Sequence, residues 1–282
     1  MAKNFRLIYE TPSQPRQVRL DITTACNAKC LSCHRFLTTR SGNMPKSFIK
    51  EILQDISNWN KPLEEIIPVN YGEFFCNKEW KKYLRLINEA LPRTNIVIPT
   101  NGSLITNEDV EFICSINTVG IINFSVNAFF EKTYEEFMGL KGETLDNILN
   151  LATLFRKYKP EIQLVFSMVY DPAYQTEMEK ELFLAFWRNY GIPWTIPASN
   201  CNRYPLKIKN NIACRSIFSD LVIGFDGKLS SCCFDPGMVL DLGKWEGSVL
   251  GAWNNPKLQE LRKLHNEGRR QEVGWCSGCS FS

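Results

Sequence analysis

Short strand-forming runs alternate with amphipathic helical patterns over most of the chain, and this alternation constrains the fold more than any other feature. The strands that we predict from β-branched and apolar runs are Val18–Ile22, Ile66–Tyr71, Ile96–Pro99, Ile121–Val126, Ile162–Val169 and Ile192–Ile196. Strands that alternate with helices form parallel βα units. Six such units fall short of a closed eight-unit barrel, which takes about 250 residues. We therefore predict an α/β fold, built as a partial, TIM-like (β/α)6 barrel.

Helices are predicted between these strands from apolar residues at helical spacing. One begins at Pro45 and another is capped by Thr106, while three more carry apolar faces around Tyr83, Ile148 and Phe183. After the sixth strand the alternation stops. The sequence therefore predicts a boundary there, with a partial barrel at residues 1–205 and a smaller domain at residues 206–282.

The smaller domain is predicted to be built around a β-hairpin. Its strands, Leu221–Phe225 and Lys228–Cys232, flank an Asp-Gly pair, which is typical of a tight hairpin turn. The rest of this region is rich in cysteine and offers few apolar residues for a core. We therefore expect bound metal to organise it.

Eleven cysteines stand beside two histidines in 282 residues. The start of the chain has no apolar signal run, and no stretch of about 18 apolar residues occurs, so we expect a cytoplasmic protein with no membrane partner. In a reducing compartment, clustered cysteines are metal ligands or catalysts more often than disulfides. The nearly balanced charge, 33 Lys+Arg against 30 Asp+Glu, argues against nucleic acid as a partner.

The first group of cysteines follows the first predicted strand. Cys26, Cys30 and Cys33 lie on the face where barrel enzymes carry their chemistry. Three thiolates can ligate three irons of a [4Fe–4S] cluster and leave the fourth iron open to an external chelate. A zinc ion with His34 as the fourth ligand is the alternative, although this spacing is uncommon for zinc.

The second group of cysteines lies in the C-terminal region. Cys214 and Cys232 bracket the predicted hairpin, and Cys276 and Cys279 form a Cys-x2-Cys pair near the end of the sequence. Four thiolates would saturate a second [4Fe–4S] cluster, while a four-cysteine zinc knuckle is the alternative. Cys201 is a substitute ligand if Cys214 is not one.

The first group resembles the signature of a known family. Cys-x3-Cys-x2-Cys after the first strand of a partial barrel is typical of radical S-adenosylmethionine (SAM) enzymes. The resemblance implies that the methionine amino and carboxylate groups chelate the open iron, and that one electron cleaves the sulfonium to a 5′-deoxyadenosyl radical. Ser32 and Tyr71 stand where the family usually has an aromatic residue and a glycine. The resemblance covers roughly residues 16–200.

Polar residues near the ends of the predicted strands resemble the SAM-binding positions of that family. The Gly-Glu pair after the second strand is similar to the Gly-Gly-Glu segment that meets the methionine ammonium. The SAM contacts implied by the resemblance are Gly72, Glu73, Asn101, Ser125, Asn127 and Ser167. The alternative for Asn101 is a plain Asn-Gly turn, and for Ser125, Asn127 and Ser167 it is an ordinary polar strand position.

The second group also resembles a known arrangement. Cys-x12-Gly-x4-Cys, from Cys214 to Cys232, is similar to the SPASM/Twitch extension of one branch of radical SAM enzymes. The resemblance implies an auxiliary [4Fe–4S] cluster on Cys214, Cys232, Cys276 and Cys279. Four ligands fit the shorter Twitch form, which is known from compact aminocyclitol alcohol oxidases.

Three kinds of function agree with these features. The first is dehydrogenation of a small molecule, helped by the auxiliary cluster. The second is epimerisation, with Cys233 as a hydrogen-atom donor, or peptide maturation; the third is a non-enzymatic iron–sulfur or zinc protein. The enzymatic readings imply a small-molecule or peptide substrate and an external one-electron donor such as flavodoxin or ferredoxin. No general base can be named from the sequence; Asp171, Arg203 and Tyr204 are candidates only by their place near strand ends.

Overall fold

A single mixed sheet organises the protein. The computed structural model describes residues 8–198 and 211–279, and within them eight strands form one sheet in the order β6-β5-β4-β3-β2-β1-β7-β8. The strands are β1 Gln17–Leu20, β2 Glu65–Ile67, β3 Asn95–Thr100, β4 Val119–Ser125, β5 Gln163–Tyr170, β6 Ile192–Pro197, β7 Asp220–Ile223 and β8 Leu229–Ser230. Neighbouring strands are parallel except β7 and β8. The predicted partial barrel is therefore confirmed.

Helices connect the parallel strands, as the strand–helix alternation predicts. In the described part of the chain the connecting helices are α1 Lys46–Ser57, α2 Trp80–Ala90, α3 Asn107–Ser115, α4 Glu131–Met138, α5 Thr144–Tyr158 and α6 Glu177–Trp187. Three more helices follow β8: α7 Val249–Trp253, α8 Pro256–Asn266 and α9 Gly274–Ser277. Thr106 and Asp109 form a capping box at the start of α3, which satisfies backbone N–H groups of its first turn. Because all crossovers join parallel strands, the carboxyl ends of β1 to β6 lie at one edge of the sheet.

The core lies between the sheet and the helices. On β1, Val18 and Leu20 are fully buried, and so are Ile66 on β2 and Ile96 and Ile98 on β3. Alternation along each strand places the intervening residues on the other face, toward the interior of the partial barrel. Polar residues of these strands can therefore line an internal cavity.

Helix α4 is absent from the sequence-based prediction. It carries buried Tyr134, Phe137 and Met138, and Gly139 ends it in the left-handed region with φ 63°. Apolar residues spaced by three and four positions before a glycine are a recognisable helix end. That signal is short, because the helix has eight residues. The helix matters because it contacts the first cysteine loop.

The C-terminal strands extend the barrel sheet. β7 pairs in parallel with β1, from Gln17 opposite Asp220 to Leu20 opposite Ile223, and β8 then pairs antiparallel with β7. The predicted domain boundary, between residues 205 and 206, lies outside the described residues and stays a prediction. Within the described residues, no helix is long and apolar enough to cross a membrane.

Candidate functional site

The first cysteine loop borders a cavity at the carboxyl ends of the strands. Cys26, Cys30 and Cys33 all line this cavity, which we call the barrel cavity and which has a volume of about 320 Å³. Its other lining residues are Arg19, Ala28, Ser32, His34, Val69, Asn70, Tyr71, Gly72, Glu73, Pro99, Thr100, Asn101, Ser125, Asn127, Met138, Val169, Ala198, Cys233 and Phe234. The loop therefore meets residues from β3, β4 and the segment after β2 in one space.

Arg35 holds the first cysteine loop in shape. Its guanidinium donates to the carbonyl oxygen of Cys26 at 3.4 Å (Nη1) and to that of Ala28 at 3.1 Å (Nη2). Its backbone N–H donates to Sγ of Cys33 at 3.4 Å, which caps the short 3-10 helix that follows. One arginine thus fixes the spacing between the first and last cysteines of the loop.

Helix α4 supports the same loop from the other side. The N–H of Lys29 donates to the carbonyl of Met138 at 2.9 Å, and that of Leu31 donates to the carbonyl of Phe137 at 2.8 Å. These carbonyls belong to the last turn of α4, whose C=O groups lack partners within the helix. The loop residues between the cysteines therefore satisfy the helix end while the thiols stay at the cavity.

Burial makes the loop thiols poor thiolates by themselves. It raises the pKa of Cys26 to about 11 and that of Cys30 to about 12. A coordinated metal deprotonates a thiol outright, so cationic iron at this place would supply the charge that the protein does not. The three half-buried thiols at one cavity therefore fit an iron–sulfur cluster.

Glu73 lies at the wall of the barrel cavity and is almost fully buried, with 3% of its surface exposed. Its Oε2 accepts from the backbone N–H of Asn101 at 2.7 Å, and its Oε1 accepts from Oγ1 of Thr100 at 3.0 Å. Burial raises the pKa of Glu73 to about 7, against these hydrogen bonds, which favour the ionised form. The carboxylate thus joins the segment after β2 to the end of β3.

Gly72 is required by a close approach of two backbones. A Cβ at this position would lie 2.1 Å from the carbonyl oxygen of Thr23 and 3.0 Å from that of Ala25. The N–H of Glu73 also donates to the Ala25 carbonyl at 2.7 Å. Only glycine lets the segment after β2 lie this close to the strand end that leads into the cysteine loop.

Asn101 connects the end of β3 with the first cysteine loop. Its Nδ2 donates to Oδ1 of Asn27 at 3.0 Å, and its Oδ1 accepts from Oγ of Ser103 at 2.6 Å. Nδ2 of Asn27 donates in turn to Oγ of Ser103 at 2.8 Å. The three side chains form a closed ring, so Asn101 positions the residue that follows Cys26.

Asn127 follows β4 in the left-handed region, with φ 60°, which asparagine adopts more readily than most residues. Its Oδ1 accepts from the N–H of Val169 at 2.7 Å. Ser125 also lines the barrel cavity, but Ser167 lies outside its lining, and Oγ of Ser167 donates to the carbonyl of Phe124 at 3.2 Å. Of the six SAM contacts predicted from the sequence, the structure thus brings five to the cavity.

The second group of cysteines surrounds its own small cavity. Cys214, Cys232, Cys276 and Cys279 line this space, which we call the thiol cavity. Burial raises the pKa of the Cys276 thiol to about 12 and raises those of Cys214 and Cys232 as well. The thiols surround the space rather than meet at one point: among the described residues, no three His, Cys, Asp or Glu side chains could hold a single metal ion.

Two basic residues that the sequence reasoning missed lie at the thiol cavity. Arg270, 1% exposed, lines it, and its Nη1 donates to the Ile212 carbonyl at 3.1 Å. Nδ1 of His265 accepts from the N–H of Cys214 at 3.1 Å. Burial lowers the pKa of His265 to about 4, and the Arg270 guanidinium acts in the same direction. His265 is therefore neutral and positions Cys214, while Arg270 places a positive charge beside four thiols.

The wall between the two cavities is thin. Cys232 lines the thiol cavity, its neighbour Cys233 lines the barrel cavity, and the ring of Phe234 lines both. His34 lies on the barrel side, with its ring centroid 5.9 Å from that of Phe234. Two spaces that each hold a group of cysteines are therefore separated by the width of a few side chains.

Other residues considered from the sequence lie elsewhere. Asp171 is buried, but it is outside the lining of the barrel cavity. Cys201, Arg203 and Tyr204 fall outside the described residues. Arg19, in contrast, lines the barrel cavity although the sequence reasoning passed over it. A charged residue between two core residues of a predicted strand is the signal that could have identified it.

Comparison with known families agrees with this arrangement. A model of the radical SAM superfamily matches residues 20–184, more than half of the chain. A model of the SPASM iron–sulfur cluster-binding domain matches residues 214–280. The two matched segments contain the two groups of cysteines, and they confirm the resemblances predicted from the sequence.

Individual relatives are distant but match over most of their length. The S-adenosyl-L-methionine-dependent 2-deoxy-scyllo-inosamine dehydrogenase of Niallia circulans is 21% identical over 93% of this chain and 92% of its own. The crystal structure of BtrN with AdoMet and 2-DOIA is 17% identical, covers 97% of this chain and 94% of its own, and has a TM-score of 0.66. SuiB of Streptococcus suis, bound to its precursor peptide SuiA, is 16% identical, covers 89% of this chain and 67% of its own, and has a TM-score of 0.68.

Proposed function

Because this chain belongs to the radical SAM superfamily and carries a SPASM iron–sulfur domain, we propose that it oxidises a small molecule by radical chemistry. The cofactors are a [4Fe–4S] cluster with SAM and an auxiliary iron–sulfur cluster. We assign Cys26, Cys30 and Cys33 to the first cluster, since all three line one cavity and burial raises the pKa of Cys26 and Cys30, so that these two need a metal to ionise. When bound, the first cluster and SAM supply a 5′-deoxyadenosyl radical that removes a substrate hydrogen atom, and the auxiliary cluster supplies an electron acceptor.

The proposal of oxidation rests on the short distance between the barrel cavity and the thiol cavity. We assign the auxiliary cluster to the cysteines of the thiol cavity, among them Cys232. The next residue, Cys233, faces the barrel cavity, and Cα atoms of adjacent residues are about 3.8 Å apart. A substrate in the barrel cavity thus lies one residue away from a proposed cluster ligand. This short separation favours transfer of an electron out of the substrate.

The proposed reaction converts a carbinol into a carbonyl group. The substrate would lose a hydrogen atom from carbon to the 5′-deoxyadenosyl radical, a proton from its hydroxyl group to solvent and one further electron to the auxiliary cluster, so the product contains two hydrogens fewer. Glu73, Asn101, Ser125 and Asn127 are proposed to orient SAM, because they line the cavity from the ends of β3, β4 and the segment after β2. A relative named as a dehydrogenase that matches nearly the whole chain supports this choice of reaction.

Epimerisation is the second candidate, and Cys233 favours it. This thiol lines the barrel cavity, where it can donate a hydrogen atom to a substrate radical. Burial raises the pKa of Cys233 to about 11, and the Arg19 guanidinium opposes that rise. The thiol therefore stays protonated near neutral pH, as a hydrogen-atom donor must.

Anaerobic reconstitution tests the proposal. We expect about eight irons per chain and formation of 5′-deoxyadenosine from SAM with dithionite. Candidate substrates are then supplied as a panel of hydroxy acids, sugar phosphates, inositols and aminocyclitols. Oxidation is supported by a product two hydrogens lighter than its substrate. A product that has the mass of its substrate in H2O and gains one deuterium in D2O, and that no longer gains it in Cys233→Ala, would replace oxidation by epimerisation.

A further inference from the structure

Arg19 lies in the middle of β1, on the face of the strand that looks into the partial barrel. Its neighbours Val18 and Leu20 are fully buried on the opposite face. Arg19 lines the barrel cavity together with Cys233 and Phe234. A guanidinium group therefore faces the space in which we place the reaction.

This guanidinium has no partner among the residues that the structure describes. It forms no hydrogen bond and no ion pair with them, and its Nε is buried without a hydrogen-bond acceptor. All 30 Asp and Glu residues lie within 8–198 and 211–279, so the rest of the chain offers no acidic side chain to Arg19. Arg19 thus has no side-chain carboxylate of its own chain to neutralise it.

Other arginines of similar burial in the described part of the chain are all partnered. Arg16 pairs with Glu65 at 3.0 Å, and Arg40 pairs with Asp226 at 2.6 Å. The remaining ones donate to backbone carbonyls: Arg35 to Cys26 and Ala28, Arg262 to Ile217 and Trp253, and Arg270 to Ile212. Arg19 is the exception, and it is the arginine of this group that lines the barrel cavity.

The physical chemistry of the guanidinium defines which chemical group can pair with Arg19. A guanidinium is charged at any physiological pH, and the Arg19 side chain is half-buried with its Nε fully covered, so leaving that group without an acceptor is costly. Its planar set of N–H donors matches a carboxylate or a phosphate in a bidentate arrangement. Glu73 is the one carboxylate that lines the same cavity, and it already accepts from Thr100 and Asn101. No other carboxylate among the described residues lines this cavity, so we look for the partner of Arg19 outside the chain.

We propose that Arg19 binds an anionic group of the substrate, a carboxylate or a phosphate, so that the substrate of this enzyme is an organic anion. The inference rests on the proposed function, because it takes the barrel cavity as the active site. It narrows that function, since neutral and cationic compounds would leave the guanidinium unpaired. It also places the anionic end of the substrate on the wall that carries Cys233 and Phe234.

Matched small probes test this inference without knowledge of the substrate. We would measure binding of benzoate, phenyl phosphate, benzamide and benzylamine to the reconstituted, SAM-loaded full chain by equilibrium dialysis. At least one of the two anions should bind about tenfold or more tightly than benzamide and benzylamine, a ratio that corresponds to about 1.4 kcal/mol. The stronger of the two anions identifies a carboxylate or a phosphate site.

Variants distinguish anion binding by Arg19 itself from a general effect of removing a positive charge. Arg19→Gln should abolish the preference for the anion, Arg19→Lys should keep part of it, and Arg19→Glu should reverse it toward benzylamine. Arg16→Gln is the matched control, because Arg16 precedes the same strand, pairs with Glu65 and lies outside the barrel cavity. We expect this control to bind all four probes as the wild type does.

Three results would overturn the inference. They are a wild type that binds no anion in preference, an anion preference that survives in Arg19→Gln, and a loss of SAM affinity in Arg19→Gln as large as the loss of anion affinity. The last would assign the guanidinium to the methionine carboxylate. Formation of 5′-deoxyadenosine by the wild type is measured separately. A failure of that reaction with an intact anion preference would reject the proposed function and leave the anion site in place.

Discussion

Cys232 and Cys233 are neighbours in the chain, yet their side chains line different cavities: Cys232 the thiol cavity and Cys233 the barrel cavity. The two residues open a turn after β8, closed by the N–H of Asp235, which donates to the Cys232 carbonyl at 3.2 Å, and this turn lets the adjacent side chains reach both spaces. In the function that we propose, Cys232 binds the auxiliary cluster while Cys233 faces the space for the substrate. Cys232 must therefore lose its proton to bind metal, whereas Cys233 can keep its proton.

We expect substitutions of the two cysteines to differ in their effect on the iron content of the protein. Cys232→Ser should lower reconstituted iron from about eight to about four per chain, since one cluster loses a ligand. Cys233→Ala should keep about eight. Iron and sulfide analysis together with electron paramagnetic resonance of the reduced protein would measure both. An equal loss of iron in the two variants would contradict the assignment of Cys232 to the thiol cavity and Cys233 to the barrel cavity.

Gly72→Ala should damage both stability and SAM binding. The new Cβ would lie 2.1 Å from the Thr23 carbonyl oxygen, so the segment after β2 must move away from the strand end. We expect a loss of about 3 kcal/mol in the free energy of unfolding, at the upper end of overpacking effects. Gly251→Ala is the control, because its Cβ would meet Ser248 at an ordinary 3.4 Å. Comparable losses in the two variants would show that the close approach is unimportant.

The parallel strands and both groups of cysteines could be predicted from the sequence, because each depends on residues close together in the chain. Strand periodicity placed β3 and β4 to within a few residues. The ends of shorter strands were less well predicted: the run Ile66–Tyr71 contains only the end of β2, Glu65–Ile67. After Ile67 the backbone turns toward the barrel cavity and no longer pairs with the neighbouring strands, although the predicted strand continues to Tyr71.

Features that depend on long-range pairing could not be predicted. The hairpin strand β7 joins β1 across more than half of the chain, and no local pattern specifies which edge it takes. The roles of Asn101 and Ser167 likewise depend on their partners, Asn27 and the Phe124 carbonyl. The position of Arg19 could not be predicted either, because its lack of a partner among the described residues is visible only in the folded structure.

SAM binding should depend on the ionisation of Glu73. Burial raises the pKa of this carboxyl from 4.5 to about 7, so the SAM-free protein loses stability as the pH rises from about 4.5 to 7. A methionine ammonium at the same wall would favour the ionised form. We therefore expect SAM affinity to fall by up to about tenfold per pH unit below pH 7. Equilibrium dialysis of labelled SAM between pH 6 and 8 measures this.

The matched variant for this test is Glu73→Gln, which cannot ionise. It should bind SAM weakly at every pH, and its affinity should vary less than that of the wild type. Its amide oxygen can still accept from the Asn101 N–H, but its NH2 group would then face the Phe75 N–H, which donates to Oε1 of Glu73 at 3.4 Å, at a cost of about 1–3 kcal/mol in stability. The same pH slope in both proteins would remove Glu73 as the titrating group.

The ion pair between Arg40 and Asp226 should stabilise the union of the barrel with the C-terminal hairpin. Nη2 of Arg40 lies 2.6 Å from Oδ1 of Asp226, and its Nη1 donates to the carbonyl of Pro236 at 2.9 Å. The Arg40 side chain is only 13% exposed, so water screens the pair weakly. Arg40→Ala or Asp226→Ala should each lower the unfolding midpoint by on the order of 4 °C. The double variant should lose little more than either single one, because the two residues act together.

A second ion pair in the same region provides the comparison. Lys257 and Asp241 are joined at 2.8 Å but are 57% and 78% exposed, and exposed pairs contribute little to stability. Lys257→Ala should therefore move the unfolding midpoint by no more than about 1 °C. If both pairs gave the same small shift, or if the Arg40 and Asp226 losses were additive, the hairpin would be held by the β1–β7 ladder and its buried side chains alone. Thermal unfolding of the loaded protein, followed by circular dichroism, distinguishes these outcomes.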